Sequence, residues 1–263
     1  MKKLIVPVLS VLTIAASSCG NGNANTAKDS TTVKTDSVSA LPAEEAATTD
    51  NVLSDAEKAD GWVLLFNGNS KDGWRGYKNK PTETWLVEKG ILHCLGSTTD
   101  KSDKRADLTT DKEYANFEMD ADWKLSPKGN SGILYLVTED YDAPYLSGPE
   151  YQIIDDNNFP EKLEDWQKTG ANYAMNPPLV AASNPIGEWN HTKIIVNKGH
   201  VEHWLNGQKT AEYTIGSDEW KKNKATGKWK DAKGYGTAKK GHISLQDHGS
   251  EIWFKNVKLK ELQ

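Results

Sequence analysis

Residues 117–125 read Phe-Glu-Met-Asp-Ala-Asp-Trp-Lys-Leu, a strict alternation of apolar and charged side chains. Side chains point to opposite faces of a strand with a period of two. Phe117, Met119, Ala121, Trp123 and Leu125 therefore share one face, and Glu118, Asp120, Asp122 and Lys124 the other. The spacing predicts a strand with one side in a core and the other in solvent.

The rest of the folded part repeats this theme in short pieces. Trp62 to Phe66 is an apolar run closed by Asn67-Gly68-Asn69. Thr84–Glu88 and Ile91–Leu95 flank Lys89-Gly90, and Trp189–Asn197 and His200–Leu205 flank Lys198-Gly199, both hairpin patterns. Asn206-Gly207 is a further turn, leading into Gln208–Tyr213. Ser131–Val137 reads as a buried strand and Glu150–Ile154 as another candidate strand, and Gly241–Asp247 and Glu251–Leu259 close the chain. Residues 156–187 carry Pro160, Pro177, Pro178 and Pro185 and little strand pattern, with one or two helical turns over Glu161–Lys168. Long connections of this kind are usually functional or mobile. A short helix is expected over 217–229, and the lysines between Lys221 and Lys240 read as a solvated insertion. Many short strands and few helices predict an all-β fold, a jelly-roll sandwich of two antiparallel sheets with short helical insertions.

The first 58 residues do not belong to that sandwich pattern. Lys2 and Lys3 precede an apolar run from Leu4 to Ala16, the length of a secretion signal and too short to span a bilayer. It ends Ala15-Ala16-Ser17-Ser18-Cys19-Gly20, which is similar to a bacterial lipobox, although Ala16 stands where Leu is commoner. This divides the chain into a lipoprotein signal peptide (1–18), a lipidated Cys19 with a disordered tether (19–58) and a folded domain (59–263). The tether holds almost no large apolar side chains and cannot offset its ordering entropy. The expected location is the bacterial cell envelope, lipid-anchored, with the membrane met only through that lipid. Gly20-Asn21-Gly22-Asn23 lacks an acidic cluster after the Cys, which favours a periplasm-facing position over the cell surface. Cys94 is the only Cys in the folded part, so neither an intrachain disulfide nor a two-thiol metal site is expected. A net charge of −5 and no basic stripe exclude nucleic acid as partner.

Four constellations could carry chemistry. In Gly241-His-Ile-Ser-Leu-Gln-Asp-His248 the period of two puts His242, Ser244, Gln246 and His248 on one face, with Ile243 and Leu245 on the other. The polar face offers donors, acceptors and a titratable base, and Gln246 and His248 are candidate ligand contacts. His242 and His248 stand roughly 20 Å apart along a strand and cannot share a metal without a bend. Glu150 and Gln152 share a face behind Gly148-Pro149, which suits either a general acid/base beside a positioning amide or a plain polar face. His203 shares a face with Val201 and Leu205, a pattern that fits a core histidine and a cleft-floor base equally. Trp189 and Trp204 could stack on sugar rings. Gly129-Asn130-Ser131-Gly132 permits close backbone approach to a ligand, or is a turn. Glu118-Met119-Asp120-Ala121-Asp122 is similar to the acidic strand of retaining β-glucanases, but Asp122 is short and the opposite face is core, so these acids read as solvated.

Residues 60–263 taken together resemble the DUF1080 family of 3-keto-disaccharide (3-keto-glycoside) hydrolase domains. The matching segments are Gly61-Trp62 to Gly68, Asp72-Gly73-Trp74, Gly129 to Gly132, Glu150 to Asp155, Gly187 to Asn190, His203 to Gly207 and Gly241 to Gly249. The resemblance implies a concanavalin A-like jelly roll whose concave sheet binds sugar. It implies that an upstream sugar 3-oxidoreductase supplies an oxidised glycoside bearing a 3-ketone, which acidifies the hydrogen on C2. A base removes that proton, the C1 substituent leaves by elimination, and water adds. Glu150 and His203 would be base and acid, with their order open; Asn130, Gln152, Trp204, Gln246 and His248 would hold the substrate. A divalent metal remains open, with no ligands assigned. The alternatives are a non-catalytic lectin-like module and a conventional retaining glycosidase using Glu118 on the same fold.

Overall fold

The computed structural model describes residues 49–97, 99 and 104–263. The expected signal peptide, Cys19 and most of the tether lie outside the described residues. The strands are β1 (Trp62–Leu64), β2 (Trp74–Gly76), β3 (Trp85–Glu88), β4 (Ile91–Cys94), β5 (Leu108–Thr110), β6 (Phe117–Leu125) and β7 (Asn130–Val137). They continue as β8 (Glu150–Ile154), β9 (Asn190–Asn197), β10 (His200–Leu205), β11 (Gln208–Thr214), β12 (His242–Leu245) and β13 (Ile252–Glu261). Two short helices, α1 (Asp55–Ala59) and α2 (Asp218–Thr226), complete the set.

The strands form two antiparallel sheets, the expected sandwich. The larger runs β11-β10-β9-β6-β13-β4-β3, with β1 on the second half of β13. The smaller runs β2-β5-β12-β7-β8. The apolar face of β6 meets Leu108, Ile133, Tyr151, Ile153 and Leu245 of the smaller sheet in one core. Each such side chain, fully buried, stabilises the fold by about 1.5–3 kcal/mol relative to exposure. Cys94 is buried there as a free thiol. β2 and β5 had no readable period at three residues each; β2 is pinned by Trp74, whose Nε1–H donates to Leu65 O at 2.6 Å.

The folded unit begins earlier than residue 59. Ser54 and Glu57 cap α1 reciprocally, each side chain accepting the other's backbone N–H. Asn51 and Asn256 exchange bonds, Asn51 N–H to Asn256 Oδ1 at 2.6 Å and Asn256 N–H to Asn51 Oδ1 at 2.9 Å. The last residues of the expected tether thus pack onto β13. Helix over Glu161–Lys168 reduces to a 3₁₀ turn at Asp165–Gln167. The segment after α2 is not merely solvated. Trp220, Tyr235 and Trp229 stack in sequence at 5.5 and 4.5 Å between centroids, continuing from Tyr213.

Register places the polar face of the smaller sheet. Ser244 is opposite both Thr109 and Leu134, and Leu134 is opposite Glu150. Those four form one row on the side turned away from the core. In the next row Gly132 is opposite Gln152, and the Gln246 N–H donates to Gly132 O at 2.9 Å.

Candidate active site

Glu150 and Gln152 leave β8 on the outer face because Tyr151 and Ile153, between and after them, are committed to the core. The alternation seen in the sequence therefore aims a carboxyl and an amide the same way. Asn130, Glu150, Gln152, Gln246 and His248 line one cavity of about 270 Å³, walled by Tyr145, Tyr173, Lys228 and Trp229. Gly132 is the floor beneath the acid: a Cβ there would collide with Oε1 of Glu150. The Gly-Asn-Ser-Gly segment is thus the start of β7, and its last glycine makes room for Glu150.

Burial pushes the Glu150 carboxyl up to about 8, helped by the negative charge of Asp107 and opposed by Lys228 and the Gln246 amide. The acid is only 4% exposed. Beside it, Gln152 Oε1 and Gln246 Oε1 are buried and accept no protein hydrogen bond. Buried carbonyls are ordinarily paired, so each has acceptor capacity left over. Gln152 Nε2 donates to Asn130 Oδ1 at 3.3 Å, fixing the two amides against each other. Tyr145 is 42% exposed and its ring lies 6.3 Å from Trp229, giving the cavity an aromatic wall.

The cavity continues into a second one of about 220 Å³, which shares Tyr145, Gln246 and His248 with the first. The second is lined by Tyr77, Lys80, Arg105, Asp107 and Asp247 among others. Burial raises Asp107 to about 7; the Asp247 N–H that it accepts works against this and the Asp247 charge adds to it.

Asn130, Glu150, Gln152, Gln246 and His248 are thus brought together as expected. His203 and Trp204 are not. His203 lies in the core between the sheets, fully buried, with Nδ1 donating to Gly170 O at 3.3 Å and Nε2 accepting from Tyr135 Oη at 2.8 Å. Tyr213 Oη closes the network on Tyr135. Burial lowers the His203 ring to about 4, so it is neutral near pH 7. Of the two roles its alternation with Val201 and Leu205 left open, the structure gives it the core one, and it lines neither cavity. Trp204 points to the outer face of the larger sheet, where Nε1 donates to Glu202 at 2.7 Å and Lys209 covers its ring. Trp189 sits under Lys124 and Lys255, away from the cavities.

Glu118 pairs with Lys193 and Lys260, Asp120 with Lys258, and Asp122 with His191. These acids form an ion-pair lattice on the larger sheet rather than a solvated face, and Asp120 is buried. His200, Glu202 and Glu212 bring ligand atoms within 4.8 Å of one another on β10 and β11, where Lys209 Nζ already binds Glu202 at 3.2 Å and Glu212 at 2.8 Å. Tyr145, Tyr173, Lys228, Trp229 and Asp107 were not foreseen. The signal for Trp229 and Tyr235 was present as two aromatics inside a lysine-rich stretch.

A two-sheet jelly roll with a deep polar cleft on the smaller sheet, built around one buried acid and paired amides, is the class of domain these features define. Residues 61–260 match the 3-keto-alpha-glucoside-1,2-lyase-like domain, and the chain belongs to that family. It is 32% identical to the "3-keto-disaccharide hydrolase" of Bacteroides thetaiotaomicron over the whole of both chains. A crystal structure from Parabacteroides distasonis, assigned provisionally as a glycosyl hydrolase, shares 46% identity with a TM-score of 0.75, covering 81% of this chain and all of that one. A second from the same organism, described in the same way, shares 27% identity with a TM-score of 0.59, covering 76% of this chain and 99% of that one.

Proposed function

We propose that the cleft cleaves the glycosidic bond of 3-keto-glycosides by elimination and rehydration, with Glu150 as the base at C2. The reading rests above all on Glu150 itself. Its carboxyl is buried over Gly132 in an amide-lined cavity and is basic enough, at about 8, to take a proton made acidic by a neighbouring ketone. Gln152 Oε1 and Gln246 Oε1 accept from sugar hydroxyls, and the amide N–H groups of Asn130 and Gln246 serve the 3-keto oxygen as negative charge develops there. Tyr145 offers a ring face to the sugar. The names of the family and of the Bacteroides relative support this substrate class. An oxidoreductase acting on the sugar 3-hydroxyl must supply the substrate. Lipidation at Cys19 would hold the domain at the cell envelope.

The test is a pair of glucosides with the same chromogenic leaving group, one bearing the 3-ketone and one not. Release only from the ketone, lost in Glu150→Gln, is the expected result. Release from the unoxidised parent would replace elimination with ordinary hydrolysis. Sugar binding without release from either would make the cleft a binding site alone.

A further inference from the structure

The elimination also needs a proton for the departing oxygen, and His203 cannot deliver it from the core. Asp107 stands across the cleft from Glu150. One residue beyond the pairing of Leu108 with Leu245, Asp107 comes level with Gln246, and Gln246 in turn bonds Gly132, the floor under Glu150. Neighbouring strands are roughly 4.8 Å apart, so the Asp107 and Gly132 backbones are about 10 Å apart. The Asp107 charge reaches the Glu150 carboxyl, and Gln246 lies on the strand between Asp107 and Gly132. Each lines its own cavity, and the cavities join at Tyr145, Gln246 and His248.

Resting on the elimination reading, we infer that the two cavities are two subsites and that Asp107 is the general acid for the leaving group. The keto sugar lies over Glu150, the leaving group occupies the cavity of Asp107, and the bridging oxygen crosses at Gln246 and His248. The Glu150 carboxylate takes the C2 proton, the electron pair moves into the C2–C3 enolate, and the C1–O bond breaks as Asp107 gives its proton to the leaving oxygen. Asp107, now ionised, then takes a proton from the water that adds at C1, and Glu150 returns its proton to C2. Atoms and charges balance as a net hydrolysis.

The surroundings of Asp107 suit this role. Asp247 has no exposed side-chain surface and is engaged by Arg105 at 2.6 Å and Thr84 Oγ1 at 2.8 Å. Its charge and burial keep Asp107 a weak acid, up to about 7, while Lys80 opposes the rise. Asp142 and His248 complete the charged and titratable lining of that cavity. The Asp107 charge helps to raise Glu150, and the two acids titrate near 7 and 8. Between those values the pair holds one proton, more of it on Glu150, the weaker acid, so the productive form with the proton on Asp107 is the minor one of the two. Below about 7 both acids are protonated and no base is left; above about 8 both are ionised and no acid is left.

The experiment compares 3-keto-glucosides with methanol, glucose and 4-nitrophenol as leaving groups in wild type, Asp107→Asn and His248→Ala. Asparagine keeps the acceptor for the Asp247 N–H. Asp107→Asn is expected to lose roughly 100-fold or more in kcat/KM on the methyl and glucosyl substrates, and less than about fivefold on nitrophenyl, whose leaving group needs no proton. Wild type alone gives a second measurement: the fall in kcat/KM above pH 8 should appear for the methyl substrate and vanish for nitrophenyl. Equal losses across the series, no loss at all, or a leaving-group dependence carried by His248→Ala instead would overturn the assignment. Failure of wild type on every keto-glucoside would overturn the elimination reading, and this assignment with it.

Discussion

The smaller sheet has a buried titratable group on each side, and the two are treated in opposite ways. On the core side, His203 is bonded through both ring nitrogens and the chain Tyr213, Tyr135, His203, Gly170 leaves none of its polar atoms unpaired. On the cleft side, Glu150 is almost as deeply buried, yet the amide oxygens next to it are unpaired and its acid is forced toward neutrality. A satisfied network stabilises and stays inert; an unsatisfied one stores a demand that a ligand can meet. Burial alone does not separate a structural group from a working one, whereas hydrogen-bond accounting does.

The sharpest test of that contrast is Glu150→Gln. Turnover of a 3-keto-glucoside should fall roughly 10³-fold or more, while the protein melts higher than wild type at pH 8. The sign follows from linkage. With its folded value raised to about 8 from 4.5, Glu150 costs nothing below 4.5 and destabilises increasingly as pH rises to 8. The gap in melting temperature should therefore close as pH falls. A variant less stable than wild type at pH 8 would remove the claim that the acid is held under strain.

His203→Phe should do the reverse, costing about 2–4 kcal/mol of stability by removing the acceptor of the Tyr135 hydroxyl and the donor to Gly170 O while turnover per folded molecule persists. Burial lowers the folded value of His203 to about 4 from 6.5, so its neutral form contributes full stability above 6.5, lost as pH falls through 4. That loss is about 3 kcal/mol and should be missing from the variant in urea melts between pH 7 and 4. Abolished turnover in a fully folded variant would break the division between the two sides.

Gly132→Ala probes the cleft without touching its polar atoms. The new methyl must displace the Glu150 carboxyl, and a shift of that size should cost about 10- to 100-fold in kcat/KM with near-normal folding. The smallest effects belong to the far face. Trp204→Ala and Glu118→Gln should leave kcat/KM within about twofold of wild type, as expected of surface changes remote from the chemistry. A larger loss in either would mean that the larger sheet takes part.

Much of this was readable where a single period governs a long stretch. Residues 117–125 and 200–205 appear as strands over the expected residues because the alternation runs through them, unbroken in the first and with His203 and Trp204 as exceptions in the second. The same rule placed Glu150 with Gln152 and put Gln246 on the face turned away from the core. Applied consistently, it also put His203 with Val201 and Leu205 on the apolar side and Trp204 on the other; what it lacked was which side of the larger sheet meets the smaller one. β2 and β5 were too short to show a period. Asp107 stands in the approach to β5, and Lys228 and Trp229 come from the segment after α2, so only the tertiary fold brings them to Glu150.

Gly132 has a bearing on how this lineage can change. A glycine whose missing methyl is the space used by an acid on the next strand is locked to that acid. In descendants and cousins the two positions should be lost or kept as a unit. A chain carrying alanine or serine at 132 should have shifted or lost the acid at 150 and, on the reading proposed above, weakened the chemistry with it.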